Sequence, residues 1–231
     1  VGLDFDGDAD SLGVISTKVE MIFPDRQMIM FSRQVIQSSP NAKIVFDVKC
    51  SKLLSDEIEK LKGKPLICKT GHTFIKQKIR ETNALLGGEM SGHIFFNDRW
   101  PGFDDGIYAG ARMLEIIANS EEDDPFSTVP NMLSTPEINI SAEDEEKFKI
   151  VKTFIENSKF SDAKIVSIDG IRVEFEKGWG LLRPSNTSPC LVLRFEAETD
   201  DDLNKIKKIF YLGLKSIKPV SYTHLTLPTS T

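Results

Sequence analysis

Between residues 43 and 117, apolar runs of strand length alternate with amphipathic stretches of helical period, and no other feature of the chain limits its fold as much. AKIVFDV, PLICK and ALLGGEM read as strands, with helices predicted over 51–61 and 73–82 and a longer one over 104–117. Leu53, Leu54, Ile58 and Leu61 recur at three to four residues in the first helix, and Ile107, Ala111, Leu114 and Ala118 do so in the last. Each helix therefore has one apolar face to lay on a sheet. Strands separated by helices need crossover connections, which imply a parallel sheet covered by helices.

The alternation stops at the acidic, Pro-bearing run SEEDDPFSTVPNMLSTP, read as a linker over 120–136. EINIS, a helix over 143–157, the strands KIVSIDG, IRVEFEK, WGLLRPS and CLVLRFEAE, and a final helix from Asp200 follow. Leu203, Ile206, Phe210, Leu214 and Ile217 form the stripe of that last helix, and Asp200 to Asp202 sit at the end where its dipole favours anions. The expected fold class is α/β: a mixed α/β sheet domain followed by an α+β C-terminal domain with an antiparallel sheet.

With 40% hydrophobic and 28% charged residues and a net charge of −6, the composition is that of a soluble globular protein. No apolar run approaches the roughly 18 residues of a membrane span. The acidic balance argues against a nucleic-acid surface, which needs clustered cations. Cys50, Cys68 and Cys190 show no paired spacing, and His72, His93 and His224 show no zinc-ligand spacing, so a reduced, cytoplasmic setting is expected. Two glycosylation-type triplets, at Asn139 and Asn186, read as coincidence. Val1 opens directly on an apolar strand pattern, as in a piece of a longer protein, and the uncharged stretch 221–231 reads as a non-native tail.

Three places can carry chemistry. Asp6, Asp8 and Asp10 follow the strand VGLDF; two-residue spacing on extended chain puts them on one side, where a hard cation such as Mg²⁺ would offset their repulsion. An acidic solvated turn is the plainer reading. An EF-hand does not fit, because twelve-residue loops from Asp4 or Asp6 end at Ile15 or Thr17 instead of Glu. Lys49, the run Lys69-Thr70-Gly71-His72 and the run Glu89-Met90-Ser91-Gly92-His93 fall after successive strands, at the edge where open α/β sheets bind ligands. Capping, a snorkelling lysine and a turn account for them equally, residue by residue. Finally, Arg183, Ser185, Asn186 and Thr187 in RPSNTSP put a guanidinium beside hydroxyl, amide and backbone donors, a set suited to a phosphate dianion, or to a plain hairpin.

Taken together, FDGDAD, KTGH, GEMSGH and RPSNTSP, in this order and with WPGFDDGIYAGARMLEI and STPEINI between them, resemble the α-D-phosphohexomutase family, in particular its bacterial phosphomannomutase/phosphoglucomutase branch. The resemblance implies a phosphoglucomutase-type fold: residues 1–18 as the end of a second domain with the metal loop, 19–119 as a third domain with the sugar loop, and 137–220 as a fourth with the phosphate loop. It implies N-terminal domains of the same protein outside this chain, among them the one bearing the phosphorylated serine. The implied activity interconverts hexose 1-phosphate and hexose 6-phosphate, of mannose or glucose, through that phosphoserine and a bisphosphate, the chain itself being inactive. By the same resemblance Asp6, Asp8 and Asp10 hold Mg²⁺, Lys49 and His72 line the reacting centre, and Glu89, Ser91 and His93 bind the sugar. Arg183, Ser185, Asn186 and Thr187 hold the non-reacting phosphate. Met90 resembles the mannose/glucose branch, and Ser11 stands where relatives usually carry Arg.

Two other readings stay open at this point. A sugar-phosphate binding remnant would use the same loops without turnover. A haloacid-dehalogenase-type phosphatase would use Asp4 as nucleophile, Asp6 as acid/base and Asp104 with Asp105 as metal ligands, but has no role for GEMSGH or RPSNTSP.

Overall fold

A computed structural model of the chain describes residues 1–217. The proposed tail, 221–231, lies outside the described residues, as does His224. The chain divides into two compact units, Val1–Asn131 and Met132 onward.

The first unit opens with three short antiparallel strands, β1 (Gly2–Phe5), β2 (Leu12–Ile15) and β3 (Met21–Ile22). There follow α1 (Pro24–Ser38), β4 (Lys43–Asp47), α2 (Lys52–Lys60), β5 (Lys64–Cys68), α3 (His72–Thr82), β6 (Leu86–Gly88), β7 (Ile94–Phe96) and α4 (Gly106–Ala118). The order of the main sheet is β5-β4-β6-β7, with β4 parallel to both β5 and β6. Local chemistry sets the helix ends: Ser51 accepts from the Leu53 amide, Pro24 opens α1, and Asn83 ends α3 in the left-handed region.

Two features depart from the sequence reading. The sheet is mixed, as the expected fold class has it, but the alternation of strands and helices implied only parallel pairing and did not isolate β7, which runs antiparallel to β6. Only residues 89–93 separate the two strands, too few for a crossover, so the run carrying Glu89 and His93 is a hairpin turn. The second is α1, which the periodicity did not isolate. Met28, Ile29, Phe31 and Val35 are buried there, but so are Asp25, Arg26, Gln27 and Ser32, and polar residues at core positions hide the stripe. The close seats of α1 and α3 explain why a central strand ends in Gly87-Gly88. A Cβ on Gly88 would collide with Met28, and one on Gly87 would lie 2.7 Å from Ile79.

Much of the run 120–136 is built into structure. Pro125–Thr128 is a single 3₁₀ turn capped by Asp124, whose carboxylate pairs with Lys18 at 2.8 Å; Arg33 donates to Thr128 at 2.9 Å, and Phe126 and Val129 join the first unit's core. Leu133–Ser134, β8, already belongs to the second unit's sheet.

That unit continues with β9 (Ile138–Ser141), α5 (Asp144–Asn157), β10 (Lys164–Val166), β11 (Ile171–Phe175), β12 (Gly178–Pro184), β13 (Cys190–Ala197) and α6 (Asp200–Lys215). All pairings are antiparallel, in the order β10-β11-β12-β13-β8, with β9 also on β13. Leu203, Ile206, Phe210 and Leu214 are buried on α6 as its stripe requires, and Phe210 packs among Phe154 and Phe195. Alternate residues of the strands carry a buried polar set instead: Arg172 stacks 4.0 Å from the Trp179 ring and pairs with Glu174, and the Trp179 indole donates to Glu196 at 2.6 Å.

Candidate functional site

In the first unit the carboxyl ends of β4 and β5 lie side by side, Asp47 opposite Cys68, and β6 ends next to them. The segments after these strands therefore share one edge. Lys49, buried just past β4, donates its amide to Asp47 at 3.1 Å, and the Thr70 hydroxyl reaches the other oxygen of Asp47 at 3.4 Å. Glu89, buried in the β6–β7 turn, accepts from the Gly71 amide at 2.6 Å. Burial, and then the neighbouring Asp47 carboxylate, push the Glu89 carboxyl up to about 7. A carboxyl balanced near neutrality both accepts and donates hydrogen bonds, as recognition of a hydroxyl pair requires. Ser91 is exposed at the tip of this turn and His72 is exposed at the start of α3.

The aspartates sit in a turn, not on extended chain as the two-residue spacing had implied. Ala9 has a positive φ of 59°, and its amide bonds back to the Asp6 carbonyl at 3.1 Å. The turn still brings one oxygen each of Asp6, Asp8 and Asp10 within 4.8 Å of one another. The Ser11 amide donates to Asp6 at 3.1 Å, which holds that carboxyl below its ordinary value, and the Ser11 hydroxyl donates to Asp10 at 3.2 Å. Three carboxylate oxygens with no nitrogen or sulfur among them fit a hard divalent cation.

This turn is stitched to two distant segments. Ser11 bridges His93, the Leu12 amide donates to the Gly92 carbonyl at 3.0 Å, and the Gly106 amide donates to the Ala9 carbonyl at 3.0 Å. The start of α4 comes so close that a Cβ on Gly106 would meet the Ser11 oxygen at 2.6 Å and the Ala9 oxygen at 2.9 Å. Around the junction, His93 Nδ1 stands 3.3 Å from Asp10 and 3.6 Å from Asp104, and His72 Nδ1 stands 3.6 Å from the same Asp104 oxygen. Lys76 holds the other oxygen of Asp104 at 3.0 Å.

The second unit has its own candidate site. Arg183 is buried on β12, and its Nε donates to Asp169 at 2.9 Å while Nη2, also buried, has no hydrogen-bond partner among the described residues. The Ser185 hydroxyl accepts from the Thr187 amide at 3.3 Å and the Ser188 amide at 3.1 Å, so it shapes the loop, with Asn186 and Thr187 exposed on it. Lys147, buried on α5, fastens the far side by donating to the Ser188 carbonyl at 3.1 Å.

Asp47, Asp169 and Lys147 were not singled out from sequence, and Asp104 was weighed only in the phosphatase scheme. Asp47 and Asp169 lie inside strand patterns and Lys147 inside a helix, where nothing local marks them.

Comparison with known proteins bears on both units. Residues 23–133 match the phosphoglucomutase/phosphomannomutase alpha/beta/alpha domain III, and residues 137–212 match the C-terminal domain of the same family. The chain belongs to the phosphoglucomutase/phosphomannomutase family. Within it, the chain is 48% identical over 221 residues to a phosphomannomutase/phosphoglucomutase of Pseudomonas syringae, covering 95% of this chain and 48% of that protein. The crystal structure of a phosphoglucomutase/phosphomannomutase family protein from Burkholderia thailandensis superposes with a TM-score of 0.89 at 45% identity, over 95% of this chain and 47% of that one. An Aspergillus fumigatus N-acetylphosphoglucosamine mutase, solved with GlcNAc-6P and magnesium, shares the fold at a TM-score of 0.63 and 15% identity, over 93% of this chain and 48% of that one. The chain thus spans about half the length of the phosphohexomutases it matches. Membership leaves the phosphatase scheme without support, and Asp4 stands on a strand of the small antiparallel sheet, opposite Gly13. No helix among the described residues is long and apolar enough to cross a membrane.

Proposed function

We propose that this chain is the C-terminal part of a phosphohexomutase that interconverts the 1- and 6-phosphates of mannose or glucose through a phosphoserine on an N-terminal domain and a hexose 1,6-bisphosphate. The observation that carries the reading is that three motifs distant in sequence meet at one edge of the first unit, through the Ser11–His93 bridge and the Gly71–Glu89 bond. Asp6, Asp8 and Asp10 would hold Mg²⁺, the ion present in the A. fumigatus complex. Bound there, it would supply charge compensation for the transferring phosphoryl group. Lys49 would add a fixed positive charge, and His72 would carry a proton to or from the sugar oxygen. Glu89, with Ser91 and His93, would grip hydroxyls common to glucose and mannose, which accounts for a dual substrate range. Arg183, with its unpartnered Nη2, would clamp the non-reacting phosphate, helped by Ser185, Asn186 and Thr187.

Because the transferring serine lies on another domain in this reading, the chain alone binds sugar phosphate without turnover. Titration of the chain with glucose 6-phosphate or mannose 6-phosphate, followed by amide NMR, should show saturable shifts in residues 183–188. In Arg183→Ala the affinity should fall by about 1.5–3 kcal/mol, the worth of a charge-assisted pair. Equal affinity in a folded Arg183→Ala protein removes the phosphate assignment. The full gene product should isomerise glucose 1-phosphate and carry one phosphoserine by mass spectrometry; isomerisation without any phosphoserine contradicts the mechanism.

A further inference from the structure

Beside the all-oxygen aspartate turn lies a donor set of different chemistry. Asp10 from the turn after β1, His93 from the β6–β7 hairpin and Asp104 from the segment before α4 each place one ligand atom within 4.8 Å of the others. The distances from His93 Nδ1, 3.3 Å to Asp10 Oδ1 and 3.6 Å to Asp104 Oδ2, are close to the edges of a tetrahedron around a metal. With bonds of about 2.0–2.1 Å to nitrogen and oxygen, those edges are about 3.3–3.4 Å. Hydrogen bonding does not account for the arrangement: His93 Nδ1 is buried and makes no hydrogen bond among the described residues, although two carboxylate oxygens flank it. Asp104 is also prepared as a ligand. Lys76 occupies its Oδ1 at 3.0 Å and the Phe95 bridge holds its backbone, which leaves Oδ2 to the imidazoles of His93 and, on the exposed side, His72.

We propose that Asp10, His93 and Asp104 form a second cation site, selective for a borderline transition metal such as Zn²⁺ and sharing Asp10 with the three-aspartate turn. An imidazole nitrogen with two carboxylates suits Zn²⁺ or Co²⁺, whereas Mg²⁺ prefers the oxygen-only set next to it. Three protein ligands leave a fourth position for water or a ligand oxygen. Since Asp10 serves both sets, occupancy of one weakens the other, and linkage makes the effect reciprocal. The site shares Asp10 and His93 with the residues assigned to Mg²⁺ and sugar in the mutase reading, but its test needs no turnover.

The test uses the whole chain. Titration with Co²⁺, read by its visible absorption, and with Zn²⁺, read by calorimetry, should show one saturable site. Affinity should drop roughly tenfold or more in His93→Gln and again in Asp104→Asn. Asp8→Asn, which removes a carboxylate from the aspartate turn only, should leave Zn²⁺ affinity unchanged while abolishing Mg²⁺ binding. In the unmutated chain, ¹⁵N NMR should show the Nδ1 resonance of His93 shifting on Zn²⁺ addition, which decides the matter even if a variant fails to fold. Absence of saturable binding, or binding that is lost in Asp8→Asn and kept in His93→Gln, overturns the proposal.

Discussion

The two candidate sites are built on opposite plans. In the second unit, Arg183, Ser185, Asn186 and Thr187 lie within five residues, and the loop is shaped by bonds to the Ser185 hydroxyl with one long-range tie, Lys147 to the Ser188 carbonyl. In the first unit, Asp10, Glu89, His93 and Asp104 come from segments up to 94 positions apart, brought together by a few backbone bonds and one close helix start. A local loop keeps its shape if its own residues are kept. A long-range junction depends on groups that never touch a ligand.

The largest effect that would sharpen this contrast is electrostatic. Glu89 has a folded-state value near 7 against an ordinary 4.5, so its contribution to stability is present below about pH 4.5 and is lost as pH rises through 7. Glu89→Gln keeps an acceptor for the Gly71 amide and removes that penalty. At pH 8 the variant should be more stable by on the order of 3 kcal/mol, with the gain disappearing below about pH 4.5. Urea unfolding at the two pH values measures it, and a gain independent of pH contradicts the buried, strained carboxylate.

Next in size is Gly106→Ala. The added methyl must displace the carbonyls of Ser11 or Ala9, at a cost of about 1–3 kcal/mol. Mg²⁺ binding should weaken with it, although residue 106 carries no ligand. Unchanged stability and Mg²⁺ affinity would mean that the aspartate turn holds its shape alone, as the loop of the second unit does. The smallest effect is expected from Ser185→Ala, which removes an acceptor from two amides and costs about 1 kcal/mol. Amide exchange should quicken at Thr187 and Ser188; altered exchange at Glu89 or His93 would break the idea that this loop is self-contained.

Most strands and helices were legible because their signals are local. The stripe Leu203, Ile206, Phe210 and Leu214 is a matter of spacing, and those residues are buried on α6 as it demands. The run SEEDDPFSTVPNMLSTP contains the boundary between the two units, and its contacts were hidden for the complementary reason. Its composition is that of a linker, but Arg33, 95 positions from Thr128, ties it to the first unit's body. The α1 helix escaped notice because Asp25, Arg26, Gln27 and Ser32 are buried on it, and no spacing rule anticipates polar groups inside a core.

By itself, the sequence determined most of the segments that become strands or helices and which residue types gather in each motif, since period, capping and turn chemistry act over a few neighbouring positions. Tertiary structure alone decided that β7 turns back beside β6, that burial and then Asp47 raise the Glu89 carboxyl, and that His93 stands between Asp10 and Asp104. Through-space neighbours follow from how strands pair and how closely helices seat, and burial and Coulomb interactions act over those distances with no regard to separation along the chain.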